Sequence, residues 1–281
     1  MKLLRYGEPG VERPGMLGPE GEIRDLSAHV DDITGAVLDD SSLQKLAGID
    51  PLSLPEVSGS PRLGPPVGGV GKFIGIGLNF RDHAKEAGLP IPEEPILFTK
   101  AVSSLSGPND DVIFPPNATK PDWEAELAFV IGREAKHVSP EEGLSHVAGY
   151  CICNDVSERS FQFEGTGDWQ KGKSYDSWGP VGPWLVTRDE VPDPQDLDIW
   201  LEVNGERMQD GSSRTMIFPV AELVSYISNF MTLHPGDIVT TGTPPGVGMG
   251  MKPQRWLRDG DIITLGVSGL GEQRQRVVLQ G

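Results

Sequence analysis

Short apolar runs broken by turn residues run through most of the chain. Residues 73–77, 96–98, 112–114, 124–131, 149–153, 182–186, 199–203, 237–241 and 262–266 each carry β-branched, aromatic or alternating apolar positions. Gly, Pro, Asn or Asp bound these runs, and the pattern predicts short strands. Residues 2–6 predict another. Asn204-Gly205 is the strongest hairpin signal, with Arg207 and Met208 starting the return strand. Helical periodicity is scarce. Residues 220–230 place Val220, Leu223, Val224 and Ile227 on one stripe, behind Pro219 at a first-turn position. Residues 42–46, after Asp39-Asp40, predict a short helix. Residues 79–88 predict another, with Asn79 as cap, Asp82 at the third position and Gly88 closing the end. Many strands, few helices and Gly-rich turns predict a β-rich body, sandwich-like or barrel-like. The stretch 51–71 is rich in Pro, Gly and Ser, which predicts a small leading domain over 1–70 and a main body over 71–281.

Composition narrows the partners. The chain has 281 residues, with 24 Lys plus Arg against 41 Asp plus Glu, a formal charge of -17. Such a surface repels phosphate backbones and anionic membranes, so neither nucleic acid nor a membrane is an expected partner. No apolar run approaches the roughly 20 residues of a membrane span. The first residues lack the long apolar region of a secretory signal. With 2 cysteines there is no disulfide framework, and a cytoplasmic location is expected. An acidic chain that handles an acidic substrate must concentrate positive charge locally.

The densest candidate chemistry lies in Asp122-Trp123-Glu124-Ala125-Glu126-Leu127-Ala128-Phe129-Val130. On a strand, Glu124, Glu126, Ala128 and Val130 share one face, and Ala125, Leu127 and Phe129 share the other. Adjacent carboxylates repel unless something positive lies between them, and a divalent cation resolves the conflict. The alternative is a solvated edge strand. Asp155, at the end of the apolar run through Cys153 and Asn154, adds a third oxygen donor. Three carboxylates with open positions suit Mg²⁺ or Mn²⁺. Asn154-Asp155 fits equally an Asx turn or the cap of a helix over 156–163. Cys151 and Cys153 have no nearby His and read as buried, inert thiols.

Three further segments carry candidate groups. His83 and Glu86 are three apart on the short helix, where a carboxylate can orient an imidazole as a general base; the alternative is a surface pair. Lys173, in Lys171-Gly172-Lys173, can hold a carboxylate or an enolate oxygen, or lie in a solvated loop. Thr241-Gly242-Thr243-Pro244-Pro245-Gly246-Val247-Gly248 is either a carboxylate nest or a plain turn. Gly75-Ile76-Gly77 has Phe80 where a dinucleotide fingerprint needs glycine, so that signal is rejected.

Together Trp123-Glu124-Ala125-Glu126-Leu127, Asn154-Asp155-Val156-Ser157-Glu158-Arg159, Lys171-Gly172-Lys173-Ser174-Tyr175-Asp176 and the Thr241–Gly248 segment resemble the fumarylacetoacetate hydrolase family, over about residues 70–281. The resemblance implies a β-rich α/β fold, a rolled mixed β-sandwich with a small N-terminal domain. It implies Mg²⁺ or Mn²⁺ on Glu124, Glu126 and Asp155, and a His83–Glu86 dyad on a mobile lid. It implies Lys173 rather than Lys171 as the active-site lysine, and Thr243 at the substrate carboxylate. Phe80 and Arg81 are read as further substrate contacts; most relatives carry Tyr where this chain has Phe80. The implied activity is hydrolysis of a C–C bond in a 2,4-diketo acid, either an acylpyruvate or a 2,4-diketo-3-deoxy sugar acid. The products are pyruvate and a carboxylic acid, and a homodimer is implied. The alternatives within the same site are oxaloacetate decarboxylation and hydration or isomerisation of 2-keto acids. A non-catalytic metal-binding module is the alternative of another class, and the dyad and lysine speak against it.

Overall fold

The computed structural model describes residues 1–280. Its fold is mixed α/β with a dominant mixed sheet and few short helices, as the resemblance implies. The larger sheet has ten strands. From one edge it runs Ile23–Asp25, Arg13–Leu17, Lys2–Tyr6, Gly179–Thr187, Val147–Asn154, Ala125–Ile131, Ile238–Thr240, Phe73–Gly77 and Ile96–Lys100; the short Leu105–Ser106 joins beside Gly179–Thr187. A five-stranded sheet runs Glu206–Ser212, Asp198–Val203, Ile262–Val267, Gly271–Leu279 and Val112–Phe114.

The Ala125–Ile131 strand is central, and both of its faces are covered. Ala125, Leu127 and Phe129 belong to the core that includes Ile199, Leu201, Ile263 and Leu265 of the smaller sheet. Ala128 and Val130 pack in a second core with Leu3, Leu26, Ile33, Cys151 and Cys153. Two-sided burial accounts for a strand that is apolar at nearly every position. It also excludes the solvated-edge alternative, because Glu124 and Glu126 are both buried. The thiols are buried as expected, and burial pushes Cys151 up to about 12. The leading segment joins the same sheet, with Leu3 opposite Leu185.

Several local expectations need correction. Asn79 caps no helix. The helix is Arg81–Ala87, its first flanking residue is Phe80, and no side chain caps it. Asn79 is instead buried, donating through Nδ2 to the Thr241 carbonyl at 2.8 Å and accepting from the Phe218 N–H at 2.9 Å. That stitches the strand end to two distant loops, which local sequence does not reveal. Asn154 is not a cap either. The helix there is Arg159–Phe163, and the Glu158 side chain accepts from the Ser160 N–H at 3.0 Å. The long helix stops at Ser228, short of Phe230. The segment is not a solvated loop: Lys171 and Lys173 both belong to a Trp169–Lys173 helix, Lys171 on its exposed side and Lys173 buried at its end.

Candidate functional site

Glu124 stands just before its central strand, Glu126 within it, and Asp155 just past the neighbouring strand Val147–Asn154. Cys153 pairs with Glu126 and Asn154 with Ala125, so the register brings the three acids together. Backbone contacts lock the junction: the Glu124 N–H donates to Asn154 Oδ1 at 3.2 Å, and the Asp155 N–H to the Glu124 carbonyl at 2.9 Å. One carboxylate oxygen from each of Glu124, Glu126 and Asp155 lies within 4.8 Å of the other two.

Three cations surround this cluster, and two of them escaped the reading of the sequence. Lys173 Nζ donates to Glu124 Oε2 at 2.7 Å and to Asp155 Oδ2 at 2.6 Å. Lys100, fully buried, donates to Asp155 Oδ1 at 2.6 Å and also to the Lys173 carbonyl. Arg159 donates from Nε to Asp122 Oδ2 at 2.8 Å, and its Nη2 stands 2.6 Å from Glu124 Oε1 as an ion pair rather than an aligned hydrogen bond. Arg159 lay inside a recognised motif without a role. Lys100 sits on a strand whose sequence, Ile96-Leu97-Phe98-Thr99-Lys100, shows nothing of its partners.

The charges divide unevenly. Burial pushes Glu124 up, but the Lys173 ammonium and then the Arg159 guanidinium outweigh it and hold the carboxyl below its ordinary range. Burial pushes Lys173 down, but Asp155 and Glu124 overcome this and hold it above the ordinary lysine range. Glu126 has no such relief. Burial, then Asp155 and Glu124, push it well above the ordinary value. Among the described residues it makes no ion pair, and it accepts one N–H, from Gly242 at 2.9 Å. A buried carboxylate without a counter-ion, beside two others within ligating distance, suits a cation. The all-oxygen donor set fits a hard divalent ion.

The Thr241–Gly248 loop does form a nest, but the anions it holds are the protein's own. Its N–H groups bind Glu126 from Gly242, Glu86 from Gly246 at 3.0 Å and Asp122 from Gly248 at 2.7 Å. Thr243 lines the site, yet its hydroxyl donates to the Ala125 carbonyl at 2.9 Å and accepts from Gln209 Nε2 at 2.7 Å. Gln209 was not anticipated, because a lone Gln on a hairpin strand carries no signal.

The Arg81–Ala87 helix lies over the same cleft. His83 Nδ1 is 3.0 Å from Glu86 Oε2, and the Gly246 N–H anchors the other carboxylate oxygen. A carboxylate only accepts, so this contact places a proton on Nδ1, and in the neutral ring the lone pair is then at Nε2. His83, Glu124, Glu126, Arg159, Lys173 and Thr243 line one cavity of about 150 Å³. Phe80 and Arg81 do not line it. Phe80 is fully buried in the core against Met216, and Arg81 is exposed on the first turn of the helix.

The ion pairs predict a stability effect. Lys100→Met leaves a buried Asp155 oxygen without its counter-ion, a loss of about 3 kcal/mol. The metal-free thermal midpoint is expected to fall by at least about 6 °C. A calorimetric midpoint equal to the parent's would show that Lys173 alone satisfies Asp155.

The fold and the buried triad define a class of proteins that hold a divalent cation on carboxylates in a β-sandwich cleft. The chain belongs to the fumarylacetoacetate hydrolase family: residues 72–278 match the family model "Fumarylacetoacetate (FAA) hydrolase C-terminal". A Burkholderia multivorans protein, provisionally named a hydrolase, is 60% identical over 276 residues, 98% of each chain. Maleylpyruvate hydrolase from Sphingobium sp. SYK-6, solved with manganese(II) and pyruvate, superposes over 100% of both chains at TM-score 0.83 and 29% identity. The 5-carboxymethyl-2-hydroxymuconate delta-isomerase of Mycobacterium smegmatis does so over 100% of both chains at 0.77 and 31%. A hydrolase and an isomerase thus share this architecture. Among the described residues, no helix is long and apolar enough to cross a membrane.

Proposed function

We propose that this protein hydrolyses the C3–C4 bond of a 2,4-diketo acid, giving pyruvate and a carboxylic acid. The observation that carries the reading is His83, paired with Glu86, lining the same cavity as Glu124 and Glu126 of the buried carboxylate triad. Glu124, Glu126 and Asp155 would hold Mg²⁺ or Mn²⁺. When bound, the cation supplies positive charge to a 2-keto acid and to the enolate that develops from it.

The chain's own groups carry the rest. His83 takes a proton from water through Nε2, and the water oxygen bonds to the 4-keto carbon. The C3–C4 bond breaks with its electron pair going to the three-carbon fragment, which leaves as the enolate of pyruvate. Two of the three N–H donors of Lys173 are held by Glu124 and Asp155, and the third is directed to that enolate oxygen. The enolate then takes at C3 the proton that His83 removed from water, which returns the imidazole to its neutral form, and the acyl fragment departs as a carboxylic acid. Glu86 positions His83 and stabilises its charged form. Thr243 reaches a substrate carboxylate only by releasing the Ala125 carbonyl.

The test is acetylpyruvate with Mg²⁺ or Mn²⁺, products identified by NMR, with oxaloacetate as comparison. Equimolar pyruvate and acetate are expected. Isomerised substrate without cleavage would favour the isomerase reading that the M. smegmatis relative supports. Carbon dioxide from oxaloacetate, with acetylpyruvate untouched, would favour the decarboxylase.

A further inference from the structure

Resting on that proposed reaction, we infer that the substrate's acyl tail is neutral and apolar, and that Phe98, Trp169 and Phe163 select it. The cavity has a charged floor and an apolar wall. The wall begins at the floor itself: Lys173 Nζ stands 5.1 Å from the Phe98 ring centroid. Trp169 meets Phe98 edge-on at 5.4 Å, and Phe163 meets Trp169 edge-on at 6.1 Å. Trp169 is half-buried and Phe163 is 49% exposed, so these three rings lead from the lysine to the cavity mouth. Leu89 and Ile96 leave further apolar surface at that mouth, 53% and 38% exposed.

The strand beneath is built to admit the rings. A Cβ on Gly75 would come within 2.1 Å of Phe98, and one on Gly77 within 2.5 Å of Trp169. The Gly75-Ile76-Gly77 pattern, which is no dinucleotide fingerprint, thereby gains a purpose. It lets two aromatic rings approach the backbone closely beside the reaction centre.

Charge decides what this wall accepts. Arg159 and Lys173 are the permanent cations among the described lining residues, and both are engaged by Asp122, Glu124 and Asp155. A tail ending in a carboxylate would be desolvated against aromatic rings with no counter-ion, close to a cluster of acids. A polyhydroxylated sugar-acid tail would lose water's hydrogen bonds along the same wall. An alkyl or aryl tail loses nothing and gains burial.

The experiment pairs turnover with binding. Hydrolysis of acetyl-, butanoyl- and hexanoylpyruvate is compared with that of succinylpyruvate. Calorimetry on the Mn²⁺-loaded protein measures 2-oxobutanoate, 2-oxohexanoate and 2-oxooctanoate against 2-oxoadipate. Both kcat/KM and affinity are expected to rise about fourfold per methylene. The diacids are expected to fall at least about tenfold below neutral tails of like length. Trp169→Ala should flatten the methylene slope. Phe163→Lys, at an exposed position that the fold tolerates, should narrow the gap to the diacids. Preference for the diacids, a flat series, or no binding by any 2-oxo acid would overturn the apolar tail. A rising affinity series without hydrolysis would support the tail pocket while sinking the proposed reaction. Hydrolysis with a flat series would do the reverse.

Discussion

His83→Ala is expected to lower kcat for acylpyruvate hydrolysis by about 10²–10⁴-fold while the affinity for the divalent cation stays within about twofold. The two effects separate because His83 is not one of the three clustered carboxylates, although it lines the same cavity. Its imidazole contributes a lone pair at Nε2, aligned by the Nδ1 contact to Glu86 at 3.0 Å. Glu86 is itself fixed by the Gly246 N–H, so the proposed base is held in one direction. Alanine removes the proton acceptor and leaves that anchor in place. Titration of Mn²⁺ by calorimetry, beside single-turnover rates, checks both halves. An unchanged kcat would remove His83 as the base, and a parallel loss of metal affinity would place it among the ligands instead.

Glu126→Gln is expected to weaken Mg²⁺ or Mn²⁺ binding by at least about a hundredfold, since even outer partners of metal ligands are worth 10–100-fold. The same substitution should leave the metal-free protein as stable as the parent, or more so. Glu126 is fully buried, carries no ion pair among the described residues, and is pushed above its ordinary value by burial and by Asp155 and Glu124. In the metal-free protein its charge is a liability that glutamine removes, while the amide oxygen keeps the Gly242 N–H contact. A cation reverses the account, because the liability becomes the third ligand. Metal titration and a metal-free thermal midpoint measured together decide it. Unchanged metal affinity, or a collapse of metal-free stability, would assign Glu126 to the scaffold instead.

Much of the catalytic body was legible from local pattern. The strands Phe73–Gly77 and Val112–Phe114 have the bounds expected of them. Period two placed Glu124, Glu126, Ala128 and Val130 on one face, and the two cores confirm that Ala128 and Val130 part from Leu127 and Phe129. Other strands were hidden because their inward positions are not apolar. Gly271–Leu279 turns Gln273 and Gln275 inward, and both are buried. Gln273 Nε2 donates to the Ile152 carbonyl at 2.8 Å and Gln275 Nε2 to the Pro108 carbonyl at 2.5 Å. Alternation was present, but amides satisfied by remote backbone do not register as hydrophobic. Arg13–Leu17 was hidden by Pro14 and Gly15.

The sequence by itself determined the family, the strand-rich body and the three acids, because these rest on short motifs and a two-residue period. Only the tertiary structure decided how those acids are balanced. Along the chain Lys100 lies 55 residues from Asp155 and Arg159 lies 35 residues from Glu124, yet in space each pair stands 2.6 Å apart. The nest that seemed made for a substrate carboxylate holds Glu126, Glu86 and Asp122, since a buried acid needs donors wherever the chain can bring them. The aromatic wall was likewise invisible, because Phe98, Phe163 and Trp169 lie on separate elements that only packing over Gly75 and Gly77 draws into one cleft.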